Sequence, residues 1–153
     1  MACTKVLARD WTVEIYDDGA EAGEEWTAIG ELNSFTLTSE KESTDSTTFD
    51  SEGFAEHTAS QRSYNLTFEG FYSEDGDGVR DEGQEVVEKM SDKVGCDAES
   101  YLHLKSPNGS KEKWYRGTIS LSDIGGATND HTSWGFEFEV TGKPSDSELT
   151  PAE

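Results

Sequence analysis

The sequence predicts a mainly β fold, a β-sandwich or barrel with one accessory α-helix, and three observations carry that reading. Apolar and polar residues alternate with a period of two in run after run, a single segment has helical spacing, and Gly, Pro, Asn and Asp clusters punctuate the runs. Six or seven strands with one helix in the middle of the chain fit that architecture. The 153 residues carry 12 Lys plus Arg against 33 Asp plus Glu, a net charge of −21, with 32% hydrophobic and 10% aromatic residues. The aromatic residues fall in spaced clusters, which disordered chains lack. A chain of this length folded as one body buries roughly 69% of the surface it exposes unfolded, which supports one core. The expected organisation is a single β domain over residues 1–144 with a polar C-terminal tail, 145–153.

The elements follow in order. Trp11, Val13 and Ile15 alternate with Thr12 and Glu14 as in a half-buried strand, stopped by Asp17, Asp18 and Gly19. A second alternating run goes from Trp26 to Thr38, with Ile29, Phe35 and Leu37 on one side and Ser34, Thr36 and Thr38 on the other. Residues 39–60 are polar and acidic with no period, which predicts a long loop ordered by a function or a partner. Phe49 and Phe54 are apolar residues stranded in it. Residues 62–71 form the clearest strand, with Tyr64, Leu66 and Phe68 in alternation. The helix is expected over 82–94. Asp81 caps it, Gln84 stands where a capping box needs it, Val86, Val87, Met90 and Val94 repeat at helical spacing, Glu85 and Lys89 pair at i, i+4, and Gly95 ends it. Further strands are expected over 101–105, 113–121 and 134–141; in the last, Trp134, Phe136, Phe138 and Val140 face inward.

Charge and composition exclude several classes. A net charge of −21 repels phosphate, so tight nucleic-acid binding through a basic patch is not expected. Self-repulsion loosens a fold at low ionic strength, whereas near 1 M salt the Debye length is ~3 Å and the repulsion is screened. The composition fits a halophilic setting as well as an ordinary acidic protein kept soluble by its charge. No stretch approaches the ~20 apolar residues that cross a bilayer, and the opening MACTKVLARDW has no apolar signal region, so neither a membrane nor a secreted protein is expected. Cys3 and Cys96 form no CxxC pair, which argues against a disulfide scaffold or a zinc site.

Candidate chemistry is sparse. Ser73, Asp75, Asp77 and Asp81 occupy positions 1, 3, 5 and 9 of a calcium-loop pattern, with Gly78 at the sharp turn. Position 1 is Ser and position 12 is Gln84, so two strong ligands are missing; the residues read first as an acidic turn with a helix cap, and calcium at Asp75, Asp77 and Asp81 is the lesser alternative. No other cofactor is expected. Ser110-x-x-Lys113 lacks the companion motifs of a serine hydrolase, and His57, His103 and His131 are scattered, so no catalytic residue is assigned. Asn65-Leu66-Thr67 and Asn108-Gly109-Ser110 match the glycosylation pattern, which means little without a secretion signal. Trp114 and Trp134 suggest a second reading, a secreted acidic carbohydrate-binding sandwich with a tryptophan platform.

Three segments together carry a resemblance: Trp26 through Ile29-Gly30-Glu31 to Asn33-Ser34-Phe35; Thr47-Thr48-Phe49-Asp50-Ser51-Glu52-Gly53-Phe54; and Arg62 through Phe68-Glu69-Gly70-Phe71. With the closing Trp134-Gly135-Phe136-Glu137-Phe138-Glu139-Val140-Thr141-Gly142, the chain resembles the major tail, or tail tube, proteins of long-tailed non-contractile phages, over residues 9–144. The acidic 73–83 segment and the more negative charge depart from that family, and the charge points to a virus of a halophilic host. The resemblance implies a structural virion protein of the tail, not an enzyme, assembled in the host cytoplasm into hexameric rings that stack into a tube. It implies edge-to-edge joining of sheets around a lumen through which DNA passes during ejection without specific binding. The implied partners are further copies of the chain and other tail proteins such as tape measure, terminator and baseplate components. The 39–60 loop, with Thr47, Thr48, Phe49, Asp50 and Phe54, would then reach an adjacent subunit. The polar strand faces, Thr36 and Thr38, Thr67 and Glu69, Thr118 and Ser120, Glu137 and Glu139, are the candidates for the lumen lining, where acidic and hydroxyl groups leave phosphate no place to adhere.

Overall fold

The computed structural model describes residues 5–21, 23–149 and 151; Cys3 lies outside them. Seven strands, β1 (Thr12–Tyr16), β2 (Trp26–Ala28), β3 (Leu32–Asp45), β4 (His57–Phe71), β5 (Ser100–Lys105), β6 (Glu112–Leu121) and β7 (Ser133–Val140), accompany one helix, α1 (Glu82–Ser91). They form a single antiparallel sheet in the order β2-β1-β5-β6-β7-β4-β3. The mainly β fold with an accessory helix is as the alternation predicts.

The sheet curls around its apolar face. Trp11, beside β1, meets Phe35 of β3 at 5.3 Å between ring centroids, although these strands lie far apart in the sheet order. Inward residues alternate as expected: Leu66 and Phe68 on β4, and Trp134, Phe136 and Phe138 on β7, are all buried. Phe68 stacks on Phe136 at 4.7 Å, and Val86, Val87 and Met90 of α1 join the same core with Val13, Ile15, Leu102 and Tyr115. Helix and strand approach through Gly83, where a Cβ would stand 2.3 Å from the Ala28 carbonyl oxygen.

Several boundaries differ from the sequence reading, each for a physical reason. The run from Trp26 to Thr38 is two strands, broken where Glu31 adopts a positive φ of 58° and its carbonyl accepts from the Phe71 amide at 2.9 Å. The helix ends at Ser91, not at 94: Val94 is 84% exposed and outside the apolar stripe. Asp81 caps it by accepting from the Gln84 amide at 3.2 Å, but the buried Gln84 side chain does not reach back to close a capping box. It donates instead to the carbonyls of Phe71 (2.8 Å) and Gly30 (3.3 Å) and accepts from the Ser73 amide (3.2 Å), tying the helix to two strand ends. Lys89 pairs with Asp17 and Asp18 on the β1–β2 turn, each at 3.2 Å, in place of the expected Glu85.

The largest correction concerns residues 39–60, expected to lack structure. The β3–β4 ladder continues through them to Asp45↔His57, while β7 supports β4 only from Asn65 to Phe71. Residues 38–45 and 57–63 are exposed on both faces, so a bare two-stranded ribbon leaves the body. Seven residues at the ordinary strand rise carry its tip about 24 Å outward.

Candidate assembly surfaces

The ribbon ends in a turn that its own side chains organise. Asp45 accepts from the Thr47 amide (2.9 Å), and that hydrogen bonding by Thr47 holds the Asp45 carboxyl below its ordinary pKa. Thr47 Oγ1 accepts from the Glu56 amide (2.9 Å), and Thr48 and Ser51 cap each other around the short helical turn Phe49–Ser51. Glu52 and Gly53 then reverse the chain at positive φ, 53° and 85°. The result is a hydrogen-bonded turn from which Phe49 and Phe54 point into solvent, 107% and 74% exposed. Asp50 sits between them, and the tip residues singled out in the sequence are thus gathered on one structure.

The eight candidate lining residues also come together. Cross-strand register places Thr36, Thr67, Glu137 and Ser120 in one row across β3, β4, β7 and β6, and Thr38, Asn65, Glu139 and Thr118 in the next. Glu69 continues the face opposite Gly135. Thr67 is half-buried and the other seven are exposed, so four strands share one polar face on the convex side of the curled sheet. Asn65, which the sequence reading left out, lies inside this face and donates to Glu137.

Across β1, β5 and the start of β6 the same side of the sheet is covered. Residues 145–148 do not trail away as a polar tail: Ser145 exchanges backbone hydrogen bonds with Trp114 (2.9 Å each), Asp146 pairs with Lys113, and Glu148 accepts from Trp26 Nε1 at 2.7 Å. Beneath them His103 stacks on Trp114 at 4.3 Å and meets Glu112 at 2.8 Å. This cover explains why β5 is buried on both faces from Ser100 to Leu104.

The remaining candidates are not assembled. Trp134 is 2% exposed, with Nε1 donating to Glu88 at 3.1 Å, so it cannot form a glycan platform with Trp114. His57 lies on the ribbon, His131 packs near Phe71, and His103 is inside the sheet. Lys113 is turned to Asp146, away from any use with Ser110. Around the calcium-like loop, Asp75 Oδ1 accepts from the amides of Asp77 (2.8 Å) and Val79 (2.9 Å), and Asp81 Oδ2 caps the helix and accepts from Gly30 (3.0 Å). Among the described residues no three His, Cys, Asp or Glu converge as a metal set.

Two solved structures are similar to this chain across nearly the whole length of both partners. A chain of the virion of a native gene transfer agent particle matches at a TM-score of 0.62 and 15% identity, covering 92% of this chain and 98% of that one. A chain of the tail of an empty gene transfer agent particle, a structure with C6 symmetry, matches at 0.61 and 16%, covering 94% and 100%. No protein-family model and no curated protein matches the sequence. At these identities the likeness is one of fold.

Proposed function

We propose that this chain is a structural subunit that self-assembles into rings stacked as a tail tube. The observation that carries the reading is the combination of a fold shared end to end with a chain of a C6-symmetric tail and a bare ribbon whose tip holds two solvent-facing phenylalanines. A two-stranded ribbon has little stability in water by itself, and exposed aromatics at its tip are costly unless a neighbour covers them. β3, at the end of the sheet, offers an edge that a neighbouring subunit completes, which removes the hazard of an open edge.

In this reading the rings are sixfold and the polar face of β3, β4, β7 and β6 lines the lumen. Sixfold repetition of Glu69, Glu137 and Glu139 gives a negative, hydroxyl-rich wall along which DNA moves during ejection without adhering. The protein resides in the virion tail, is assembled in the host cytoplasm, and meets tape measure, terminator and baseplate components at the ends of the tube; its role is passive, with no catalytic step. The charge of −21 makes assembly salt-dependent, and a halophilic host is the setting in which that charge is screened.

Negative-stain electron microscopy of the concentrated protein in near-saturating KCl, and again after dialysis to low salt, tests the proposal. Hollow tubes or stacked rings in high salt that dissociate at low salt are expected. Monodisperse single particles at every salt and protein concentration would overturn it.

A further inference from the structure

On a chain so acidic, a concentration of cations is informative. Arg62, Lys111, Lys113 and Lys143 line one open cleft of about 750 Å³, together with Tyr64 and Tyr115. They come from β4, the start of β6 and the segment after β7, so no window of the sequence shows them together. Lys113 is paired with Asp146, whose charge also acts on Lys143, and Glu139 also lines the cleft, but Arg62, Lys111 and Lys143 have no carboxylate within 4 Å among the described residues. Lys41 stands directly opposite Arg62 in the β3–β4 ladder. Two like charges on one face of a ribbon repel, and an anion brought between them relieves that cost.

The ribbon tip is the complement. Residues 45–56 contain Asp45, Asp50, Glu52 and Glu56 with no Lys or Arg, and they expose Phe49 and Phe54. We propose that the acidic, two-phenylalanine tip of one copy docks into the basic, tyrosine-lined cleft at the ribbon root of a second copy. The inference rests on the tube-subunit reading in taking a second copy as the occupant. The tip cannot reach its own cleft, because the ribbon stays paired from Arg62 to His57, with one bulge at Ser60, and holds the two about 17 Å apart at the ordinary strand rise. The contact is therefore head-to-tail, the kind that generates rings or open stacks. High salt favours it: long-range repulsion between acidic subunits is screened, while ion pairs closed off from solvent are screened much less.

The test uses full-length chains and two charge reversals on exposed side chains, Asp50→Lys with Glu52→Lys at the tip, and Arg62→Glu with Lys143→Glu at the cleft. By sedimentation velocity in about 1 M KCl, each variant alone should lose self-association by about tenfold or more. A mixture of the two matches an acidic tip with a basic cleft and a basic tip with an acidic cleft and should co-assemble in equal proportions, and the variant carrying all four changes should regain self-association. Unchanged far-ultraviolet circular dichroism and thermal midpoints establish that each variant is folded. Self-association of both variants at the parent's level overturns the docking. So does a mixture that stays monomeric together with a fourfold variant that fails to recover. Loss of short-duplex DNA binding in the cleft variant with self-association intact would assign the cleft to phosphate and also overturn it. The two readings fail separately: a parent that makes no tubes while the mixture still pairs refutes the tube alone, and tubes that persist in both variants refute the docking alone.

Discussion

Replacing Phe49 and Phe54 together with serine separates folding from assembly. Phe49 is fully exposed and Phe54 about three-quarters exposed, and the turn that carries them is held by Asp45, Thr47, Thr48 and Ser51 through bonds that neither ring enters. Surface substitutions of this kind change stability by no more than about 0.5 kcal/mol, so the thermal midpoint should stay within about 2 °C of the parent for a domain of this size. Covering a phenylalanine in an interface is generally worth about 1.5–3 kcal/mol, a factor of roughly 10 to 150 in an equilibrium constant. Two such anchors make the assembly defect about 10² to 10⁴-fold in association constant, additivity assumed. The assay pairs circular-dichroism melting with the protein concentration at which tubes appear by negative stain in concentrated KCl. Tubes at the parent's concentration would refute the reasoning. A lowered melting temperature would refute it differently, by showing that the rings support the fold.

Further outcomes follow from other parts of the structure. Reversing Glu137 and Glu139 to lysine turns part of the polar face basic, and tubes chemically cross-linked in concentrated KCl before transfer should then bind duplex DNA at about 50 mM salt and release it by about 200 mM; affinity equal to that of cross-linked parent tubes sinks the lumen assignment. Gly83→Ala places a methyl 2.3 Å from the Ala28 oxygen and should cost about 1–3 kcal/mol, seen as a lower thermal midpoint, whereas an unchanged midpoint would mean that the helix shifts freely on β2. Lys93, and then Lys89, hold the half-exposed Asp18 carboxyl below its ordinary pKa. This contact contributes stability above the unfolded carboxylate's value of about 3.9 and loses it as pH falls through the lower folded value. Asp18→Asn should therefore narrow, by a small amount, the stability difference between pH 5 and pH 2, and acid-unfolding curves for the two proteins that differ by a constant offset would refute it.

The strand faces were legible because alternation reports burial directly. Trp134, Phe136 and Phe138 had to face a core wherever β7 ended up, and the polar residues between them had to share the other side. That eight candidate residues from four strands fall in register rows follows from the same rule, applied once the strands are paired. The helix start was legible too, since a cap is a local device: Asp81 serves an amide three residues on. The helix end was not, because Gly95 and Val94 fit a continued stripe whose packing partner is absent.

The ribbon carries no strand signal in the sequence because both of its faces meet water. Alternation vanishes when neither side is buried, and what orders Ser39 to Asp45 is a backbone ladder to residues 57–64, which leaves no trace in side-chain pattern. The C-terminal cover over His103 and the basic cleft escaped for a related reason. Each is made by residues 30 to more than 120 positions apart, as in the pairing of Trp26 with Glu148. The β character, the inward faces, the acidic skin and the local caps could be read from residue order, because these depend on composition and on neighbours a few residues away. Which strands adjoin, how far the ribbon projects and where scattered cations gather were decided by the tertiary structure alone, because contacts across the chain depend on how the sheet curls and no local pattern encodes it.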